Sequence, residues 1–128
     1  MKPEAAKLLA KAKRHLANAR HDHAGEFFEG ACRYAYMGMF SAALAYVFQR
    51  DGQSPRTHSG LRATFNKLAK DDAGLPNDLP PLLGQGYRFK ELADYSFDAP
   101  IGAAEAVALI EKAERFLRAI DERLARPR

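Results

Sequence analysis

Tyr34-Ala35-Tyr36-Met37-Gly38-Met39-Phe40-Ser41-Ala42-Ala43-Leu44-Ala45-Tyr46-Val47-Phe48 is a run of 15 residues without a formal charge. Phe28, Cys32, Ala35, Met39, Ala42 and Tyr46 make one seam near period 3.5, while Phe27, Tyr34, Phe40, Leu44 and Val47 cover other sides. A helix apolar nearly all round is a buried helix. The alanines and glycines in the run let neighbouring helices approach closely. A membrane hairpin does not fit, because the run is shorter than the roughly 20 residues of a span and has no partner span. The stretch therefore predicts a central helix with other helices packed around it.

The flanks supply those helices. Upstream, Ala5, Leu8, Leu9, Ala12, Leu16 and Ala19 fall on one helical stripe, with Lys7, Lys11, Lys13 and Arg14 opposite and Gly25 as the break. Downstream, Asp51-Gly52 ends the central helix. Ser54-Pro55 reads as the N-cap and first-turn proline of a third helix, with Leu61, Phe65, Leu68 and Ala69 inside. Asp71 to Asn77 is a loop. Asp78 fits the cap of a fourth helix that tolerates Pro80 and Pro81 in its first turn and buries Leu79, Leu82, Leu83, Gly86 and Ala93. Ser96 to Gly102 reads as a turn containing Pro100. The last helix has Ala106, Leu109, Ile110, Ala113, Phe116, Leu117, Ile120 and Leu124 inside and stops before Pro127. No useful stretch alternates with period 2. The expected fold is all-α: an antiparallel up-down bundle of four to five helices in a single domain, residues 1–128.

Composition fits that expectation. The chain has 128 residues, 47% hydrophobic and 28% charged, enough to bury a core and too apolar to stay disordered. One cysteine, Cys32, excludes an intramolecular disulfide framework. Met1-Lys2-Pro3-Glu4 runs straight into a charged helical pattern, so no secretory signal is expected and a cytoplasmic setting is. The net charge of +4 is unevenly spread: residues 1–20 carry +5, residues 50–70 carry +4 and residues 71–105 carry −5. A basic face attracts phosphate chains, although solvated lysines and arginines on helix surfaces account for the same pattern.

Several constellations bear on chemistry. His21-Asp22-His23, with Glu26 nearby, puts two rings about 200° apart on a helix, so they share no face and no metal is expected. Cys32 falls in the apolar seam and reads as a small core residue. Arg56-Thr57-His58-Ser59-Gly60 is a polar turn entering a helix, suited to hold an anion on its amides or to cap the helix. In Arg88-Phe89-Lys90-Glu91-Leu92-Ala93-Asp94-Tyr95, Arg88 and Tyr95 share a face two turns apart. Arginine and tyrosine on one face can grip a phosphate and stack on a base. The plainer alternative is a surface helix with i, i+4 pairs such as Lys90–Asp94.

Three of these stretches together resemble the HEPN family, in its compact single-domain prokaryotic branch. Ala35-Tyr36-Met37-Gly38-Met39-Phe40-Ser41-Ala42-Ala43 resembles that branch's Ala-Tyr-Tyr-Ala-Met-Phe-His-Ala-Ala helix. Arg56-Thr57-His58-Ser59-Gly60 resembles its Lys-Thr-His-Ser-Gly, with Phe65 at the expected offset. Ala93-Asp94-Tyr95 resembles the end of its Arg-x-x-Ala-Asp-Tyr. Order and spacing match over roughly residues 8–120.

The resemblance implies a helical bundle that pairs as a homodimer, binds RNA or a nucleotide, and works in a toxin–antitoxin-like pair with a nucleotidyltransferase. Nuclease members carry Arg-x4-6-His. Arginine neutralises the transition state and histidine moves the proton of the RNA 2′-hydroxyl, without a metal. One toxin group adds a tyrosine to which the antitoxin attaches adenylate. Laid on this sequence, Arg88 takes the arginine position, Tyr95 the tyrosine position, and Ala93 stands where the histidine belongs. Lys90 occupies the branch's own arginine register, and Met37 and Ser41 replace a tyrosine and a histidine. The expectation is an RNA- or nucleotide-binding protein without a cofactor, whose ribonuclease chemistry is weak or absent. Arg88 and Asp94 are the catalytic candidates, and Arg88, Lys90, Tyr95, Arg56, Thr57 and His58 the ligand contacts. Two rival readings stand beside it: an active metal-independent RNase using His58 or Asp94 as base, and a purely structural dimeric interaction module.

Overall fold

The computed structural model describes residues 1–95 and 101–126. It holds five helices: α1 Pro3–Ala24, α2 Phe28–Asp51, α3 His58–Lys70, α4 Leu79–Tyr95 and α5 Ala103–Ala125, with no strand among the described residues. α1 opens on Pro3, at a position whose amide no helix bond needs. It closes where the Gly25 amide donates to the His21 carbonyl, 3.1 Å away. The chain then reverses within three residues: Glu26 adopts φ 66°, and the Phe27 amide donates to the Asp22 carbonyl at 2.7 Å. α2 ends at Gly52, in the left-handed region at φ 75°, where glycine carries no steric penalty.

α2 is the centre, as its uncharged run implies. It packs on all four other helices. Cys32, Ala35, Met39, Ala42 and Tyr46 are buried, and Phe28 at the start of the seam is half-buried. At Gly86 of α4 the two backbones come so close that a Cβ would lie 2.9 Å from the Met39 sulfur and 3.2 Å from the Tyr36 ring. Tyr46, Phe65 and Phe116 interlock α2, α3 and α5, with ring centroids 5.4 and 5.6 Å apart. One side of α2 remains open. Tyr34, Phe40 and Leu44 are half-buried there, and Met37 is 41% exposed.

One helix start and one cap differ from the expectation. α3 begins at His58 rather than at Ser54-Pro55. The Thr57 hydroxyl accepts from the Gly60 amide at 3.0 Å and caps it. The His58 ring, seated between Tyr36 and Tyr87, fixes the first turn at that point. Asp78 precedes α4, but its carboxylate takes both Arg115 donors at 2.7 Å instead of helix amides. Pro80 and Pro81, in that first turn, have no N–H to cap. The expected turn of Ser96 to Gly102 falls largely on residues 96–100, outside the described residues. α5 is closed at its start by Glu105, whose carboxylate accepts the Gly102 amide at 2.8 Å.

The α3–α4 connection is anchored by a charged cluster. Asp72 is 7% exposed. It accepts from the Tyr46 hydroxyl at 2.6 Å, Arg50 at 2.7 Å, Arg123 at 2.9 and 3.1 Å, and the Gly74 amide at 3.0 Å. Burial opposes its charge, but the hydrogen bonds from Tyr46, Arg123 and the Gly74 amide outweigh it and hold the carboxyl below its ordinary value.

Candidate functional site

α2 and α4 run antiparallel, so Arg33 meets Asp94, Tyr36 meets Tyr87 and Met39 meets Gly86. This places the C-terminal half of α4 along the edge of the open side of α2. Tyr87, Arg88, Glu91, Leu92 and Tyr95 line a shallow groove of about 540 Å³ there. Arg88 is exposed, Leu92 is 45% exposed and Tyr95 is 74% exposed. Lys90 turns to the α2 side of the same helix. Its ammonium lies 2.9 Å from Asp94, 5.9 Å from the Tyr87 ring centroid and 5.7 Å from that of Tyr95. The bond to Asp94 holds the ammonium above its usual pKa.

Arg88, Lys90, Asp94 and Tyr95 therefore gather at one end of α4. The three residues from the α3 entrance divide. Arg56 stays exposed in solvent, and the Thr57 hydroxyl is engaged in the helix cap. His58 belongs to a cluster that joins both regions. Its ring stacks on Tyr87 at 3.7 Å with planes 12° apart, and its Nδ1 is hydrogen-bonded to the Tyr36 hydroxyl. Its Nε2 is buried without a partner among the described residues. Burial, then the Arg62 charge, pushes its pKa down, so the ring is neutral at pH 7. Burial likewise raises the Tyr36 phenol. Tyr87 completes the cluster by donating to Glu91 at 2.6 Å.

A family model for the HEPN domain matches residues 5–124. The chain belongs to the HEPN domain family. A protein of Methanocaldococcus jannaschii named "Putative toxin MJ0142" is 28% identical over 116 residues, which are 91% of this chain and 78% of that protein. The crystal structure of TT1696 from Thermus thermophilus matches with a TM-score of 0.79 at 21% identity, covering 94% of this chain and 98% of that one. The likeness to that structure concerns the fold, an all-α HEPN-like bundle.

Within this HEPN chain the positions singled out by the family motif do not share one face. Arg88 and Tyr95 do. Ala93, five residues from Arg88 and so about 140° around the helix, is 7% exposed and faces the core. Asp94 is bridged by Arg33 at 3.2 Å and Lys90 at 2.9 Å. Both of its ion pairs engage the carboxylate with neighbouring side chains rather than leaving it free toward the groove. Arg33 is not among the sequence candidates. The signal for it is slight: it is the charge just before the uncharged run, and its partner lies 61 residues away. Tyr36 and Tyr87 are likewise missed by sequence reasoning as members of a polar cluster.

The remaining suspects of the HEPN sequence have structural places. His23 packs edge-on against Phe28, while His21 is 87% exposed at its side chain. Cys32 is fully buried, and burial pushes its thiol up to about 11, the range of an inert core thiol.

Proposed function

We propose that this HEPN chain binds a phosphate-bearing ligand, RNA or a nucleotide, along the α4 groove, and that it acts as a homodimer in a toxin–antitoxin-like pair with a nucleotidyltransferase. The observation that carries the reading is the joint placement of Arg88 and Tyr95 on one exposed face, with the Lys90 ammonium within reach of two tyrosine rings. A guanidinium takes phosphate oxygens in a fork, and an exposed ring offers a base its stacking surface. Family membership and the relative named as a toxin support the class of role. The nucleotidyltransferase partner rests on the sequence resemblance. RNA cleavage is expected to be weak or absent. His58 has one ring nitrogen on Tyr36 and the other buried, Asp94 is held by two cations, and position 93 faces the core.

The test is binding of a labelled single-stranded RNA and of AMP to the purified chain. Arg88→Ala and Tyr95→Ala should each weaken binding. For the stacking ring, a loss of about 1–3 kcal/mol corresponds to roughly 5- to 150-fold. If the wild type binds neither ligand, or both variants bind as it does, the reading fails. Cleavage assayed in EDTA runs alongside. Cleavage by the wild type that disappears in Arg88→Ala would establish the active-RNase alternative. The homodimer is supported by the uncovered stripe of Tyr34, Met37, Phe40 and Leu44 on α2. Sedimentation should show a dimer that Met37→Glu dissociates. The same stripe, together with the exposed Leu92 on α4, favours the second reading, a structural interaction module. A tight dimer that binds no ligand would select it.

A further inference from the structure

Resting on the phosphate-binding reading above, we infer that Asp94 is a positioning residue: anchored by Arg33, it holds the Lys90 ammonium between the rings of Tyr87 and Tyr95, ready to take a phosphate oxygen. The parts come from two helices. Arg33 on α2 reaches Asp94 at 3.2 Å, and Asp94 reaches Lys90 one turn back on α4 at 2.9 Å. The Asp94 side chain is 19% exposed, so its rotamer is fixed by its surroundings as well as by the two pairs. Lys90, 29% exposed, is held near two aromatic faces that favour a cation.

A free lysine loses the freedom of four side-chain bonds when it closes on a ligand. One already fixed loses less, and binds more tightly for it. Arg33 itself is a poor phosphate contact, because it also lines a hollow with Asp22, Glu26 and Glu29. Those carboxylates offset its charge on that side. Lys90 faces tyrosine rings instead, and the other titratable side chains whose charge it feels or affects include His58 and Glu91. The arrangement assigns Arg33 to anchoring, Asp94 to positioning and Lys90 to binding.

The experiment turns on a sign. Asp94→Asn keeps the shape of the side chain and removes a negative charge beside the site. If Asp94 were only a neighbouring carboxylate, its removal would tighten binding of the labelled RNA. If it positions Lys90, binding weakens, by about 2- to 5-fold for the loss of one partly exposed ion pair. Lys90→Gln should weaken binding at least as much. Adding Asp94→Asn to Lys90→Gln should then change nothing further, and Asp94→Glu should restore part of the affinity.

A second readout needs no RNA. The NMR signal of the Lys90 ε-methylene should be shifted upfield by the two rings and should move on titration with inorganic phosphate. Asp94→Asn and Arg33→Gln should lose the upfield shift and blunt the phosphate response. Wild type that binds RNA while Asp94→Asn binds as well or better overturns the positioning role and leaves the RNA reading intact. Wild type that binds no RNA, but whose Lys90 signal responds to phosphate in an Asp94-dependent way, overturns the RNA reading and retains the positioning role. A Lys90 signal indifferent to phosphate in the wild type overturns the inference itself.

Discussion

Asp72→Ala removes the common acceptor of Tyr46, Arg50, Arg123 and the Gly74 amide. It leaves two guanidinium groups, with side chains 14% and 13% exposed, without a counter-charge. Removing one partner of a buried ion pair costs about 3–5 kcal/mol, because the charge left behind is no longer compensated. For a chain of 128 residues each kcal/mol lowers Tm by about 4 °C, so the midpoint should fall by roughly 10–20 °C. Thermal and urea unfolding followed by circular dichroism at pH 7 would measure it. The triple variant Arg50→Met, Asp72→Leu, Arg123→Met replaces the whole charged cluster with apolar groups and should cost far less than the single change. The sign with pH also follows. The folded pKa of Asp72 is depressed, so its stabilisation is present above the unfolded value of about 3.9 and is lost as pH falls through the folded value. Acid unfolding below pH 4 should accordingly be less steep in Asp72→Ala. A cost under about 1 kcal/mol, or a triple variant weaker than the single one, would refute this account of the cluster.

Three further outcomes are expected. His58 is held neutral, with a folded pKa below 6.5, so the unfolded chain binds protons more readily. Stability should be full above pH 6.5 and decline as pH falls toward the folded value. His58→Phe, which keeps a ring against Tyr87, should remove part of that decline in pH-resolved urea titrations and leave the part due to His15, also depressed by burial. Gly86→Val should drive a branched side chain into Met39 and Tyr36, lowering stability by about 1–3 kcal/mol in the same assay. Gly52→Ala should cost about 1 kcal/mol, visible as a few degrees of Tm, because no side chain crowds the site and only the left-handed backbone opposes it.

The helices are legible in the sequence where one face repeats along many turns. The stripe of α1, the seam of α2 and the inner face of α5 sit in the core as their periodicity implies. Short-range grammar is less decisive. Ser54-Pro55 and Thr57 are equally good helix starts by type, and the choice falls to Thr57 because His58 has a berth between two tyrosines from other helices. The candidate site shows the same division. Arg88 and Tyr95 follow from seven-residue spacing on one helix. Arg33–Asp94 and Asp72–Arg50–Arg123 join residues 61, 22 and 51 positions apart, and no local pattern marks them. Asp72 in particular has the sequence of a loop aspartate. Only the convergence of α2 and α5 beneath the loop turns it into a buried anchor.

The lone thiol, at Cys32, equips the bundle with a stopwatch. It is wholly enclosed and overwhelmingly protonated at neutral pH, so a thiol reagent must wait for α2 to come away from its neighbours. With one cysteine per chain, the trapping curve should follow a single exponential, and its rate counts openings of the native protein without any introduced label. Cys32 also adjoins Arg33, the α2 end of the clamp on α4. A ligand that tightens that clamp should therefore slow the trapping of a sulfur it never touches.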